Sequence, residues 1–263
     1  MKRPAVKSKQ PAATPAVATR KLPIRRWVTI GVVVCAVLGA AGAVGAVVRS
    51  NGAKAFAAPT LAAGPGSFAV PMKGSPAVTL TLFEDMRDPA TVAFDTTYGP
   101  TLSSLIDSGT VTVLYRQVAG VDAAHGGSGS LRAGNALGCA QDAGYFSKYR
   151  KVLLKNQPAE SDDTFASTGE LVTLAKKVKH LNSDVFRACL DSGAHNVWVK
   201  DSTADFTAAD LGSVPVLQMQ VKGQSGSTTM VGNGQQSTPK QLMADVLAAA
   251  VRTPTAEASP SAP

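Results

Sequence analysis

Apolar and polar positions along the middle of the chain follow a pattern that predicts an α/β domain. A β-rich run over residues 78–83 is bounded by a proline before it and acidic residues after it, so it predicts a buried strand. Apolar residues then recur at helical spacing as far as Asp107. Asp88 followed by Pro89 is a typical helix start, because Asp accepts backbone N–H groups and Pro fits the first turn. With a second strand predicted over residues 111–115, this β-α-β unit indicates parallel neighbours in one sheet.

The second half of the domain is predicted to be helical first and then β. The predicted helices cover residues 131–143, 145–156, 168–178 and 184–192. Strands are predicted over residues 216–221 and 228–231, as an antiparallel hairpin across a Gly/Ser turn. A last amphipathic helix is predicted over residues 239–251, with Thr238 as its N-cap. The glycine-rich segment 125–130 lacks the Gly-Lys-Ser/Thr ending of a phosphate loop and is interpreted as a mobile loop.

An apolar segment precedes this domain. Residues 27–48 carry no charge, and a helix of that length spans a hydrocarbon core roughly 30 Å thick. Arg25 and Arg26 directly before it predict a cytoplasmic N-terminus and an extracytoplasmic C-terminal domain on a single-pass protein of the cell membrane. Residues 55–57 resemble a signal-peptide cleavage site, so cleavage is the alternative. The length of the apolar run favours an uncleaved anchor.

The distribution of charge argues against a nucleic-acid partner. The chain has 26 basic and 18 acidic residues, a net charge of +8. Residues 1–26 hold eight of the basic residues and no acidic one, so the remainder is balanced. The excess is therefore a topology signal of a basic cytoplasmic tail. Residues 49–66 are interpreted as a flexible tether, 67–252 as the working domain, and 253–263 as a disordered tail.

The order of motifs in the domain resembles the DsbA-like family of thioredoxin-fold disulfide oxidoreductases. The segments that carry the resemblance are Phe83-Glu84-Asp85, Tyr115-Arg116, residues 136–140, Asn156-Gln157-Pro158, residues 185–190 and residues 211–216. The resemblance covers about residues 76–251. It implies an α/β, thioredoxin-like fold with a helical insertion at about residues 131–200.

The chemistry of that family is missing from its expected place. The family motif at the first helix is Cys-Pro-x-Cys, and the four positions here are Asp88, Pro89, Ala90 and Thr91. Thiol–disulfide exchange needs one thiolate to attack and a second to resolve the mixed disulfide. Asp88 keeps the helix cap, worth about 0.5–2 kcal/mol, but a carboxylate cannot cycle through a disulfide. We therefore expect a redox-inactive site without catalytic residues or cofactor.

Cys139 and Cys189 are the two cysteines beyond the apolar segment. They could be a relocated catalytic pair, but they lie in separate predicted helices without a CxxC motif. A structural disulfide across the insertion is favoured in an oxidising compartment, and the resemblance also implies it. Closing a loop of roughly 50 residues would contribute about 4 kcal/mol. The three histidines, His125, His180 and His195, are scattered, so we expect them at the surface and predict no metal site.

The resemblance also implies a peptide-binding position. In the family, the residue before a cis proline presents its backbone to an extended substrate, and Val214-Pro215 stands at that place. The alternative is that Pro215 merely turns the chain into the next strand. The predicted function is to bind or scaffold extracytoplasmic proteins or peptides from a membrane anchor. The alternatives are a thiol–disulfide oxidoreductase or isomerase that uses Cys139 and Cys189, and a simple structural stalk.

Overall fold

A mixed sheet of six strands organises the described part of the chain. The computed structural model describes residue 59, residues 69–71 and residues 77–252. The strands are β1 Ala69–Pro71, β2 Val78–Glu84, β3 Val111–Gln117, β4 Val216–Val221, β5 Thr228–Gly232 and β6 Gln235–Gln236. They lie in the order β1-β3-β2-β4-β5-β6, and the predicted parallel pairing of β2 with β3 is confirmed. All other neighbouring strands of this sheet are antiparallel.

Eight α-helices accompany the sheet within the described residues. They are α1 Pro89–Asp107, α2 Gly120–His125, α3 Gly129–Asp142, α4 Phe146–Lys155, α5 Thr168–Ala175, α6 Asp184–Ser192, α7 Asn196–Ala208 and α8 Pro239–Arg252. A short 3-10 turn, Thr164–Ala166, precedes α5. Helices α2 to α7 all lie between β3 and β4, over residues 120–208, and contain the helical insertion predicted at about residues 131–200. The thioredoxin-like α/β fold is thus confirmed.

Helix α1 begins and packs as its sequence predicts. The Asp88 carboxylate caps it by accepting the N–H of Ala90 at 2.8 Å. Its buried stripe recurs at helical spacing and comprises Thr91, Phe94, Tyr98, Leu102 and Leu105. The helix continues through Pro100 to Asp107. Leu242 and Val246 of α8 pack in the same apolar core.

The two faces of the sheet contact different apolar clusters. Leu80 and Leu82 of β2 belong to the main core, with α1, α8 and most of the insertion. Because alternate strand residues face opposite sides, Phe83 points the other way. There it joins a smaller cluster with Val118, Phe206, Leu211, Val214 and Val216. Helix α7 supplies Phe206, so the end of the insertion covers this second face.

A disulfide joins two helices of the insertion. Cys139 of α3 and Cys189 of α6 are bonded, with their Cα atoms 5.9 Å apart, which confirms the predicted pair. The sequence analysis predicted neither α2 nor α7, and neither starts with a capping side chain. Both helices owe their position to tertiary packing.

Several predictions fall outside these residues. The tail 1–26, the span 27–48, the end 253–263 and most of the tether 49–66 lie outside the described residues. Within the part that the structure describes, no helix combines the length and hydrophobicity needed to cross a bilayer.

Candidate functional site

The N-terminus of α1 presents a carboxylate where the resemblance implies a thiol. Asp88 is half-buried, Pro89 and Ala90 are exposed, and Thr91 is buried. The Thr91 hydroxyl accepts the N–H of Asp85 at 3.4 Å, which turns this side chain toward the end of β2. Of the four predicted positions, Asp88 is therefore the one that offers a polar group to the groove described below.

The loop before β4 provides the second half of the site. The Val214-Pro215 peptide bond is cis. Val214 lies one residue outside the β4 pairing, which begins with Val216 opposite Phe83. In the part of the chain that the structure describes, Val214 makes no backbone hydrogen bond. Its N–H and C=O therefore have no backbone partner among the described residues.

Asp88 and Val214 line one groove with a volume of about 410 Å³. Four members of the second cluster line it, namely Val118, Phe206, Leu211 and Val214, together with apolar side chains of α2. Its acidic lining comprises Asp88, Glu160 and Asp210. The structure therefore places all of Asp88, Val214 and the small apolar cluster at one site, although they come from three distant segments.

The groove is acidic. Of the described residues that line it, none is Lys or Arg. Burial raises the pKa of Asp88 above its usual range, and the charge of Glu160 adds to this effect, although the Ala90 N–H opposes it. The Glu160 carboxylate lies 3.3 Å from the imidazole Nε2 of His125. A cationic ligand would relieve this repulsion.

A buried arginine fixes the position of Asp88. The Arg87 side chain is almost completely buried, and its Nη1 lies 2.6 Å from Asp122 and 2.9 Å from Asp163. Its Nη2 donates to the backbone C=O of Glu160 at 2.9 Å. Because Arg87 directly precedes Asp88, these contacts tie the start of α1 to α2 and to residues 160–163. Asp163, which supplies one of these carboxylates, remains partly exposed.

The glycine-rich segment is part of the same arrangement. Asp163 accepts the N–H groups of Ser128 at 3.0 Å and Gly129 at 2.8 Å. A Cβ atom at position 129 would lie 2.6 Å from the Asp163 carboxylate and 2.7 Å from Arg87 Cδ, so glycine is required for this approach. The structure gives segment 125–130 fixed hydrogen bonds, and Gly129 and Ser130 already belong to α3.

Asp85 holds the turn between β2 and α1. Its carboxylate accepts the N–H of Arg87 and the N–H of Val121, both at 2.9 Å. Burial raises its pKa to about 6, although these hydrogen bonds act in the opposite direction. Gln157 reinforces the turn by donating to the carbonyls of Met86 at 2.9 Å and Asp88 at 3.0 Å. The adjacent Glu84 faces away and pairs with the buried Arg150 at 2.6 Å.

The disulfide lies apart from the groove. Neither Cys139 nor Cys189 lines it, and Cys139 is buried in the main core. His195 lies next to this disulfide and is 3% exposed, so its predicted surface position was wrong. Its Nε2 is 2.7 Å from the carboxylate of Asp142. The prediction failed because no local pattern marks His195 as buried; tertiary contacts with α3 decide it.

Comparison with known proteins decides the family. The family model described as Thioredoxin (Thioredoxin_4) matches residues 73–230, which is more than half of the chain. The chain belongs to the thioredoxin family. The matched region runs from just before β2 into β5, so it contains both the Asp88 turn and the Val214 loop.

Solved structures place this thioredoxin-family chain in the DsbA-like group. The disulfide bond oxidoreductase DsbG from Mycobacterium tuberculosis is 26% identical with a TM-score of 0.56, over 72% of this chain and 95% of that chain. DsbA from Mycobacterium tuberculosis is 24% identical with a TM-score of 0.56, over 68% and 91%. BdbD from Bacillus subtilis shares the fold, with a TM-score of 0.57 at 18% identity over 74% and 97%. No curated protein matches the chain.

Proposed function

We propose that this domain binds an extended polypeptide segment in the groove between Asp88 and Val214, without thiol–disulfide exchange in that groove. The observation that carries the proposal is the lining itself, which joins a carboxylate, an apolar floor and an unpaired backbone but no cysteine. Exchange requires a thiolate at the reacting position. The replaced positions Asp88 and Thr91 supply none.

Backbone pairing provides the affinity in this proposal. The N–H and C=O of Val214 are positioned to pair with an added strand, the mode in which main-chain hydrogen bonds bind and alternate side chains select. One side chain of the ligand would enter the apolar part of the groove against Val118 and Phe206. This side chain then contributes to the binding free energy by burial of apolar surface, at roughly 25 cal/mol per Å².

Charge provides the selectivity. Asp88, Glu160 and Asp210 face the same space without a cationic lining residue among those described. A Lys or Arg side chain in the ligand would pair with Asp88 and lower its raised pKa. A segment that combines an apolar and a basic residue therefore fits the groove better than an acidic one.

The membrane context is part of the proposal. The apolar segment 27–48 and the basic residues before it support a single-pass anchor that displays the domain on the extracytoplasmic side. The ligands would then be extracytoplasmic proteins or peptides.

Binding of labelled peptides to the full chain in detergent micelles tests the proposal. Three extended peptides that differ only in a central Lys, Gln or Glu should bind in that order, and the difference should shrink in high salt. Phe206→Ala should weaken all three, whereas Val185→Ala, at an exposed position of α6, serves as the matched control and should change none. Peptide binding that is absent, or that survives Phe206→Ala unchanged, contradicts the proposal.

A second candidate function is thiol–disulfide exchange through Cys139 and Cys189. The observation that favours it is the partial exposure of Cys189 beside its bonded partner. Reduction of insulin by the purified chain distinguishes the two functions. Activity that disappears in Cys139→Ser and Cys189→Ser supports the second candidate, whereas inactivity of the unmodified chain supports the first.

A further inference from the structure

A sulfur and nitrogen cluster lies outside the groove, inside the helical insertion. The two sulfur atoms of Cys139 and Cys189 and one ring nitrogen of His195 all lie within 4.8 Å of one another. The three residues come from α3, from α6 and from the position before α7. Cys139 and His195 are buried, and Cys189 is partly exposed, which gives the cluster one accessible side.

The imidazole of His195 is held firmly in this place. Its backbone N–H donates to Asn135 Oδ1 at 2.7 Å, and its Nε2 is bonded to Asp142 Oδ2 at 2.7 Å. The ring lies directly on Gly138, where a Cβ atom would be 2.7 Å from His195 Cδ2. Metal-binding imidazoles in proteins are commonly oriented in this way, by a hydrogen bond to a carboxylate.

We propose that reduction of the disulfide converts this cluster into a Cys2His site for Zn²⁺. A dithiol reductant would transfer two electrons to the Cys139–Cys189 bond, become a disulfide itself and leave two protonated cysteines. Zn²⁺ would then displace both thiol protons to solvent and form two Zn–S bonds and one Zn–N bond. These bonds are about 2.3 Å and 2.0–2.1 Å long in proteins, and three protein ligands leave the fourth position open to water.

The ligand set favours zinc over harder cations. Two thiolates and an imidazole are soft or intermediate ligands, which suit zinc, whereas calcium and magnesium prefer oxygen. Asp142 would orient the imidazole through their hydrogen bond.

The surrounding helices keep the cysteines together after reduction. The Cα atoms are 5.9 Å apart, and both α3 and α6 are anchored in the main core, by Leu137 and by Phe186 and Leu190 respectively. The thiols therefore stay adjacent when the covalent bond is broken. Bound zinc would connect α3, α6 and the start of α7 in a reducing environment, as the disulfide connects α3 and α6 in an oxidising one.

Cobalt is a suitable spectroscopic probe of this site. The full chain carrying Cys35→Ser, so that Cys139 and Cys189 are the remaining thiols, is reduced with a phosphine under anaerobic conditions and titrated with Co²⁺ in micelles. We expect one Co²⁺ per chain, with sulfur-to-cobalt charge-transfer bands and the visible spectrum of tetrahedral cobalt. Zn²⁺ should displace it. The oxidised chain should show neither signal.

Variants distinguish a three-ligand metal site from metal binding by the two thiols alone. His195→Ala should abolish the tetrahedral spectrum, and Asp142→Asn should weaken binding by about 10–100-fold, the usual effect of a partner that orients a ligand. His180→Ala is the matched control because His180 is exposed, and it should change nothing. An octahedral spectrum, or one that His195→Ala leaves unchanged, overturns the proposal.

Thermal unfolding distinguishes binding to the folded chain from binding to an unfolded one. A metal that binds the folded state stabilises it, whereas one that binds the unfolded state destabilises the fold. Zn²⁺ should therefore raise the Tm of the reduced chain and leave the Tm of the oxidised chain unchanged. A Tm of the reduced chain that falls with zinc, or does not move, contradicts a site in the folded domain.

Discussion

The guanidinium of Arg87 and the carboxylate of Asp122 lie 2.6 Å apart, with side chains only 1% and 11% exposed. Asp122 also accepts the N–H groups of Ser130 and Leu131 at the start of α3. One buried ion pair thus connects the residue before Asp88 to the helical insertion. This contact fixes the turn before α1 relative to α2 and the start of α3, and it explains why a charged residue is buried directly before the helix.

Replacing Arg87 should strongly destabilise the domain. Arg87→Leu leaves the carboxylates of Asp122 and Asp163 without their cation, and breaking a buried pair by removing one partner costs about 3–5 kcal/mol. The free energy of unfolding from urea titration measures this loss. Arg187→Leu is the control, since Arg187 pairs with the almost fully exposed Asp184 and should cost less than about 1 kcal/mol. Equal losses in the two variants would contradict the role assigned to Arg87.

Removing the disulfide should lower stability rather than peptide binding. The bond closes a loop with a sequence separation of 50, for which the chain-entropy model gives about 4 kcal/mol. We expect Cys139→Ala with Cys189→Ala to lower the Tm in metal-free buffer while the affinity for the Lys peptide at low temperature stays within about twofold. An unchanged Tm would show that the disulfide does not constrain the insertion.

Asp85 should give the domain a specific dependence on pH. Its folded-state pKa is about 6 because of burial, whereas the unfolded value is about 3.9. The folded state therefore binds more protons between these values, so the contribution is fully present below about pH 4 and is lost as the pH rises through 6, by roughly 3 kcal/mol.

Urea unfolding at several pH values between 4 and 7 measures this contribution. Asp85→Asn should flatten the decrease of the unfolding free energy with rising pH. It should also lower overall stability, because an amide cannot replace both hydrogen bonds to Arg87 and Val121. Asp88→Asn is the companion variant, since burial also raises the pKa of Asp88. A slope that Asp85→Asn leaves intact would refute the assignment.

Restoring two cysteines at the start of α1 should create exchange activity. In Asp88→Cys with Thr91→Cys, the first thiol would lie at the helix N-terminus, where backbone N–H groups stabilise the thiolate. We expect the double variant to reduce insulin in the presence of a dithiol, and Asp88→Ser with Thr91→Ser to be inactive. Inertness of the cysteine variant, with an unchanged fold by circular dichroism, would argue that more than the motif has been lost.

Local sequence patterns were sufficient to predict the helices and strands that have their own capping or periodicity signals. The Asp88-Pro89 cap started α1 as predicted, and the strand at residues 216–221 and the helix at 184–192 have the predicted bounds. Helix α7 was missed. Its buried residues Trp198, Val199 and Phe206 pack against other elements, so tertiary contacts hold it.

The sequence by itself indicated the fold, through an ordered set of motifs that resembles a known family, and showed the missing thiols at Asp88 and Thr91. It favoured a disulfide between Cys139 and Cys189 through that resemblance, and the tertiary structure shows the bond. Only the tertiary structure decided which polar residues are buried. Arg87 and His195 are buried, and the carboxylates that neutralise or orient them lie at least 30 positions away along the chain. Burial of a charged group is decided by such distant partners, which no local pattern encodes.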